Sequence, residues 1–159
     1  MGRPAPATGA ADQGRRRRLA GVTSPLLRLF YVSKALPSID NRAVGEILHI
    51  SRRNNARRDV TGCLLFTGSF FAQMLEGDSA VVEALALRIA ADPSHSDVRI
   101  TRRSHATLRL YDNWSMGYVY ALPMQDRIAQ LYETPLPDEL AIDTIVGHMR
   151  PDSVLGPLT

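Results

Sequence analysis

A chain of 159 residues with 45% hydrophobic content can fill the core of one domain and is too short for two large ones. Its net charge of +3 is uneven: Met1 to Ser24 holds five arginines and one aspartate, +4 in all, which leaves −1 for the rest, so the excess does not mark a nucleic-acid-binding fold. One cysteine excludes an internal disulfide, and the absence of a secretory signal core or of any apolar run near the ~20 residues of a membrane span leads us to expect a soluble cytoplasmic protein without a membrane partner.

Residues 1–24 are rich in Gly, Ala and Pro and are expected to form a disordered leader. Its run Arg15 to Arg18 leaves contact with nucleic acid or another anionic surface as an alternative. Leu26 to Ser33 has the apolar continuity of a buried strand. Asp40 can cap a helix reaching about Asn55, with Val44, Ile47, Leu48 and Ile50 at helical spacing and Asn54 or Asn55 as a left-handed terminator. Val60 to Thr67 and Ser69 to Glu76 are apolar runs separated by Gly68, a hairpin signal that makes Cys63 a small buried hydrophobe. Asp78 or Ser79 can cap a second helix with the stripe Val81, Val82, Leu85, Ile89 and Ala90, ending near Asp92 and Pro93. A half-exposed strand is expected over about Asp97 to Leu108, and a last strand from Trp114 to Val119 would put Trp114 and Met116 on one face. Beyond Met124, two helical patterns, Ile128, Leu131, Tyr132 and then Leu140, Ile142, Ile145, Val146, are separated by Pro135 and Pro137.

Strand, helix, strand, strand, helix, strand fits an α+β, ferredoxin-like sandwich. A mixed sheet of about five strands would carry two helices on one face. The C-terminal pair would cover the other, which is otherwise bare and apolar.

Gln73 is the anomaly of this pattern, an amide where a buried strand expects an apolar residue. Unpaired, it would cost ~1–3 kcal/mol. Tyr31 and Ser33 project from a single face of the first strand, so Tyr31 is a candidate partner for Gln73. A structural Tyr–Gln pair is the plainer alternative.

With these two residues in view, the chain resembles the BLUF family of flavin-binding blue-light sensors. The resemblance runs through Tyr31-Val32-Ser33, Arg53-Asn54-Asn55, Val60-Thr61-Gly62, Phe71 to Gly77, Asp92-Pro93-Ser94-His95 and Trp114-Ser115-Met116. Val60 stands where the family usually has Ile, and Ser94 where many members have a basic residue. The resemblance implies the ferredoxin-like fold, a flavin-binding domain over 25–120 and a helical extension over 121–159. It implies FAD, with FMN or riboflavin as alternatives, held without a covalent bond between the two helices by Tyr31, Asn54, Asn55, Gln73, Arg88, Asp92, His95 and Met116. By resemblance, light moves an electron from Tyr31 and a proton through Gln73, whose amide rotates or tautomerises. Ser33, Trp114 and Met116 would support the pair, one of the latter two approaching the pocket. Such a chain is not an enzyme; it would self-associate or act on a downstream signalling protein through its C-terminal helices.

Two other classes compete with this reading. An acylphosphatase-like enzyme needs a phosphate-cradling loop after the first strand, and Lys34-Ala35-Leu36-Pro37 is neither glycine-rich nor strongly basic. A nucleic-acid-binding module would have to work through the arginine leader alone.

Overall fold

The structure, a computed structural model, describes residues 25–135 and 138–151. The expected leader, Pro137 and the end of the C-terminal extension lie outside the described residues.

Strand β1 (Leu26–Ala35) is an interior strand of the sheet, buried on both faces, which is why it reads as a nearly continuous apolar run. Helix α1 (Asn41–Arg57) begins at Asp40, whose carboxylate accepts from the Ala43 N–H at 2.9 Å. It runs two residues past Asn55, and the left-handed residue after it is Asp59, φ 54°, rather than either asparagine. Asn55 remains helical while its carbonyl accepts from the Arg58 and Val60 N–H groups, joining α1 directly to the next strand. Strands β2 (Thr61–Phe66) and β3 (Phe70–Gly77) form the expected hairpin, with Gly68 taking φ 105° at the turn. Helix α2 (Ser79–Ala90) is capped by Asp78.

Strand β4 (His95–Ala106) starts earlier than expected, because its ladder with β1 absorbs two register shifts. Strand β5 (Gly117–Tyr120), a short 3₁₀ turn, α3 (Gln125–Glu133) and α4 (Glu139–His148) complete the chain. The sheet order is β4-β1-β3-β2-β5, antiparallel except for the parallel pair β2 and β5.

The sheet is covered on both faces. Leu29, Tyr31, Leu64, Phe71 and Leu75 pack with Val44 and Leu48 of α1 and Val82 and Ala86 of α2. Phe30, Val32, Cys63, Ala72 and Met74 pack with Ile128 and Leu131 of α3 and Ile142, Ile145 and Val146 of α4.

The expected start of the last strand also fails. Trp114 and Met116 are not on a strand and do not share a face: β5 begins at Gly117, Trp114 packs with the α3/α4 layer, and Met116 is buried in the α1/α2 layer. The reason lies in the backbone. Three successive carbonyls are taken by partners that do not form one ladder: Trp114 O by the Gly62 N–H, Ser115 O by the Asn55 side chain and Met116 O by Arg52. The period of two therefore does not apply, and the segment crosses from one face to the other. The Trp114 ring lies over Gly117, where an added Cβ would come within 2.4 Å of it.

Candidate functional site

The register of β1 against β3 sets Tyr31 directly opposite Gln73, both on the α1/α2 face. The Tyr31 hydroxyl donates to Gln73 Oε1, and Gln73 Nε2 donates to Met116 Sδ at 3.3 Å. All three side chains are buried. The amide is thus polarised along one line, with a strong acceptor contact at its oxygen and a weak thioether acceptor at its nitrogen. Burial pushes the Tyr31 phenol far above its ordinary pKa, with Asp92 and Tyr132 adding to the shift, so it is neutral at physiological pH.

Ser33 lies on the same face, fully buried, with Oγ 2.8 Å from His95 Nδ1. The other ring nitrogen of His95 faces the Ile89 carbonyl at the end of α2, and a carbonyl can only accept. Nε2 therefore carries the proton, and Ser33 donates to Nδ1. The imidazole meets Tyr31 edge-on at 6.2 Å between ring centres and Phe71 at 6.1 Å, which closes the cleft beside the phenol. Asp92 accepts from the Ser94 N–H at 2.8 Å. Partial burial alone would raise its carboxyl, but the Ser94 hydrogen bonds hold it below the ordinary value.

A cleft of about 70 Å³ lies here, with Ile47, Leu64, Phe71 and Ile89 as apolar walls and Gln73, Asp92, Ser94 and His95 as polar edges. A larger cavity of about 410 Å³ lies on the opposite face, between the sheet and α4. Arg28 and Arg102 there are already paired with carboxylates, so the chemistry favours the smaller cleft. Its character suits the edge of a heteroaromatic ring: apolar walls and an amide with donor and acceptor together.

Asn55, 3% exposed, donates from Nδ2 to Ser115 O at 3.0 Å, and Asn54 is half-buried beside it. Arg88 is exposed and outside the cleft lining. Arg52 escaped the sequence reading although it lies one helical turn before Asn55. It donates from Nε to Met116 O at 2.9 Å, and its Nη2 is buried without a partner among the described residues. Such an orphaned donor fits a ligand with carbonyl or phosphate oxygens.

Glu76 was missed as well. It shares the buried α3/α4 face of β3 with Ala72 and Met74, a position at which a carboxylate needs partners. It is 1% exposed and accepts from Arg28 Nε (2.9 Å), Thr61 Oγ1 (3.2 Å), Leu110 N (2.7 Å) and Tyr111 N (3.0 Å).

Among the described residues, no group of three or more His, Cys, Asp or Glu could hold a metal ion, and no helix is long and apolar enough to cross a membrane. Burial pushes the Cys63 thiol up to about 12, the opposite of an activated nucleophile.

Comparison with known proteins gives a consistent answer. A family model named BLUF, "Sensors of blue-light using FAD", matches residues 26–117. The chain is 30% identical over 132 residues to the photoactivated adenylate cyclase subunit beta-like protein FB of Euglena gracilis, covering 78% of this chain and 15% of that protein. It is 37% identical over 73 residues to the blue light- and temperature-regulated antirepressor BluF of Escherichia coli, covering 46% of this chain and 18% of that one. The chain thus spans a small part of these relatives. Among solved structures, BlrB, described as a BLUF protein in its dark state, superposes with a TM-score of 0.65 at 26% identity, over 78% of this chain and 94% of that one.

Proposed function

Because the chain belongs to the BLUF family of blue-light sensors using FAD, we propose that Tyr31 and Gln73 are its photoactive pair and that the segment through Met116 carries the signal to the helices α3 and α4. The observation that carries this reading is the buried amide of Gln73, suspended between the Tyr31 hydroxyl and the Met116 thioether.

FAD, when bound, would supply the absorption of blue light and an electron acceptor. The Tyr31 phenol is neutral, so its oxidation would make it a strong acid whose proton would leave along its existing hydrogen bond, toward Gln73 Oε1. A Gln73 amide turned end for end would present its NH₂ to the Tyr31 oxygen and its carbonyl to Met116 Sδ. Two acceptors would then face each other, so Met116 is the first neighbour obliged to move. No covalent bond to the cofactor is needed. Asn54, Asn55, Arg88, Asp92 and His95 are proposed to hold the flavin, Asn55 at its pyrimidine edge and Arg88 from the rim.

We read residues 25–120 as the sensing unit and 121–159 as an output extension, with no catalytic centre in either. The chain would work in the cytoplasm, on a second copy of itself or on a separate signalling protein. A light-minus-dark absorption spectrum of the purified protein tests the reading: blue-region flavin absorption should shift slightly to the red on illumination and return in the dark. A colourless protein, or a flavin spectrum indifferent to light, would refute it.

A further inference from the structure

We propose that Glu76 is a positioning residue for signal transmission: it anchors the β4–β5 connection so that movement of Met116 reaches Trp114 and Tyr111 on the output face. The proposal rests on the reading of Tyr31 and Gln73 as the photoactive pair.

The connection after β4 is held at both ends. At its start, the Leu110 and Tyr111 N–H groups both donate to the Glu76 carboxylate, which Arg28 and Thr61 also hold. Arg109 braces the same point, donating from Nη1 to Thr61 Oγ1 at 2.8 Å and to the Glu76 carbonyl at 3.3 Å, and from Nη2 to the Asp59 carboxylate at 3.1 Å. At its end, Arg52 and Asn55 hold the Met116 and Ser115 carbonyls. Between these points Trp114 stacks on Tyr111, with ring centres 6.2 Å apart.

Glu76 follows Gln73 by three residues on β3, so the two side chains emerge on opposite faces. One strand thus presents the amide that light turns and the carboxylate that fixes the far end of the segment Met116 belongs to. A displacement at Met116 cannot be absorbed by sliding the whole connection, because Leu110 and Tyr111 are tied to a buried charge whose acceptor capacity is filled. It has to be taken up between the ties, by the Trp114 side chain, which lies against the layer formed with α3 and α4 while its carbonyl stays bonded to the Gly62 N–H.

The chain has a single tryptophan, so its emission reports on position 114 alone. In the intact, flavin-loaded protein, Glu76→Gln removes the charge while keeping one acceptor oxygen, and Thr61→Val removes one hydroxyl without changing shape. The flavin red shift should persist in both. The light-minus-dark change in Trp114 emission should fall at least twofold in Glu76→Gln and by less in Thr61→Val, with dark recovery altered in the same order. If Glu76→Gln does not fold, Thr61→Val alone decides by the same measure. A folded variant with unchanged emission difference and unchanged recovery overturns the proposal. A wild-type protein with no red shift instead defeats the photoactive pair and the proposal with it.

Discussion

The α1/α2 face of the sheet and the α3/α4 face share five strands and differ in what they bury. On the first, Ser33, Gln73 and Asn55 are buried among apolar residues, Ser33 bonded to His95, Gln73 to Tyr31 and Met116, and Asn55 to the Ser115 carbonyl. On the second, Ile128, Ile142, Ile145 and Met149 are fully buried against Phe30, Val32 and Met74, and the polar cluster around Glu76 is set at one end. The first face keeps rearrangeable hydrogen bonds where a ligand can reach them. The second is built mainly of aliphatic side chains, and its larger cavity, about 410 Å³, is lined by charged groups such as Arg28, Arg102 and Asp143, two of them already paired with each other.

The sharpest way to break this comparison is to remove the rearrangeable groups. Gln73→Leu should bind flavin and lose the red shift entirely, because no other amide is bonded to the Tyr31 hydroxyl, and Tyr31→Phe should likewise bind and not cycle. A full photocycle in either, by difference spectroscopy, would show that the near face works by other residues. The far face should fail differently. Ile145→Ala is expected to cost about 2–5 kcal/mol in denaturant unfolding while the initial red shift survives; the half-buried Ile47 of the cleft, cut to Ala, should cost clearly less.

Alkaline pH probes both faces at once. Cys63 on one and Tyr31 on the other have folded pKa values raised above their ordinary 9.0 and 10.0, because burial penalises the charged form. Their contribution is fully present below about pH 9 and is lost as the pH rises, through about 12 for the thiol. Melting temperature should therefore fall above pH 9, and Cys63→Ala should flatten the first part of that fall. The smallest effect is one on which the faces should agree: Asp40 caps α1 and Asp138 caps α4 by the same contact to the third residue on, so each Asp→Ala should cost about 1 kcal/mol. Unequal costs would mean that one layer tolerates fraying better than the other.

The sequence made the strands, both helix layers and the Tyr31–Gln73 face legible, because alternation and helical spacing are local and an amide in a buried run stands out. It did not reveal that Trp114 and Met116 part to opposite faces, since that depends on donors from Arg52 and Asn55, about sixty residues away. Glu76 was readable in principle, as a charge two residues past Met74 on a buried face. Its role required the loop that folds over it. Either asparagine, Asn54 or Asn55, could be read as a helix end, and the brace from the Asn55 side chain to Ser115 O was not foreseen, because a partner sixty residues away leaves no trace in the pattern of its own helix.

The Trp114 indole rests on the bare Cα of Gly117, at the point where the segment enters β5. That leaves no room for even a methyl group: alanine at 117 would push the ring away from the backbone without any photon being absorbed. The position is therefore a handle for engineering, since a substitution that alters no side chain lining the cleft would displace the indole from its place against the α3/α4 layer.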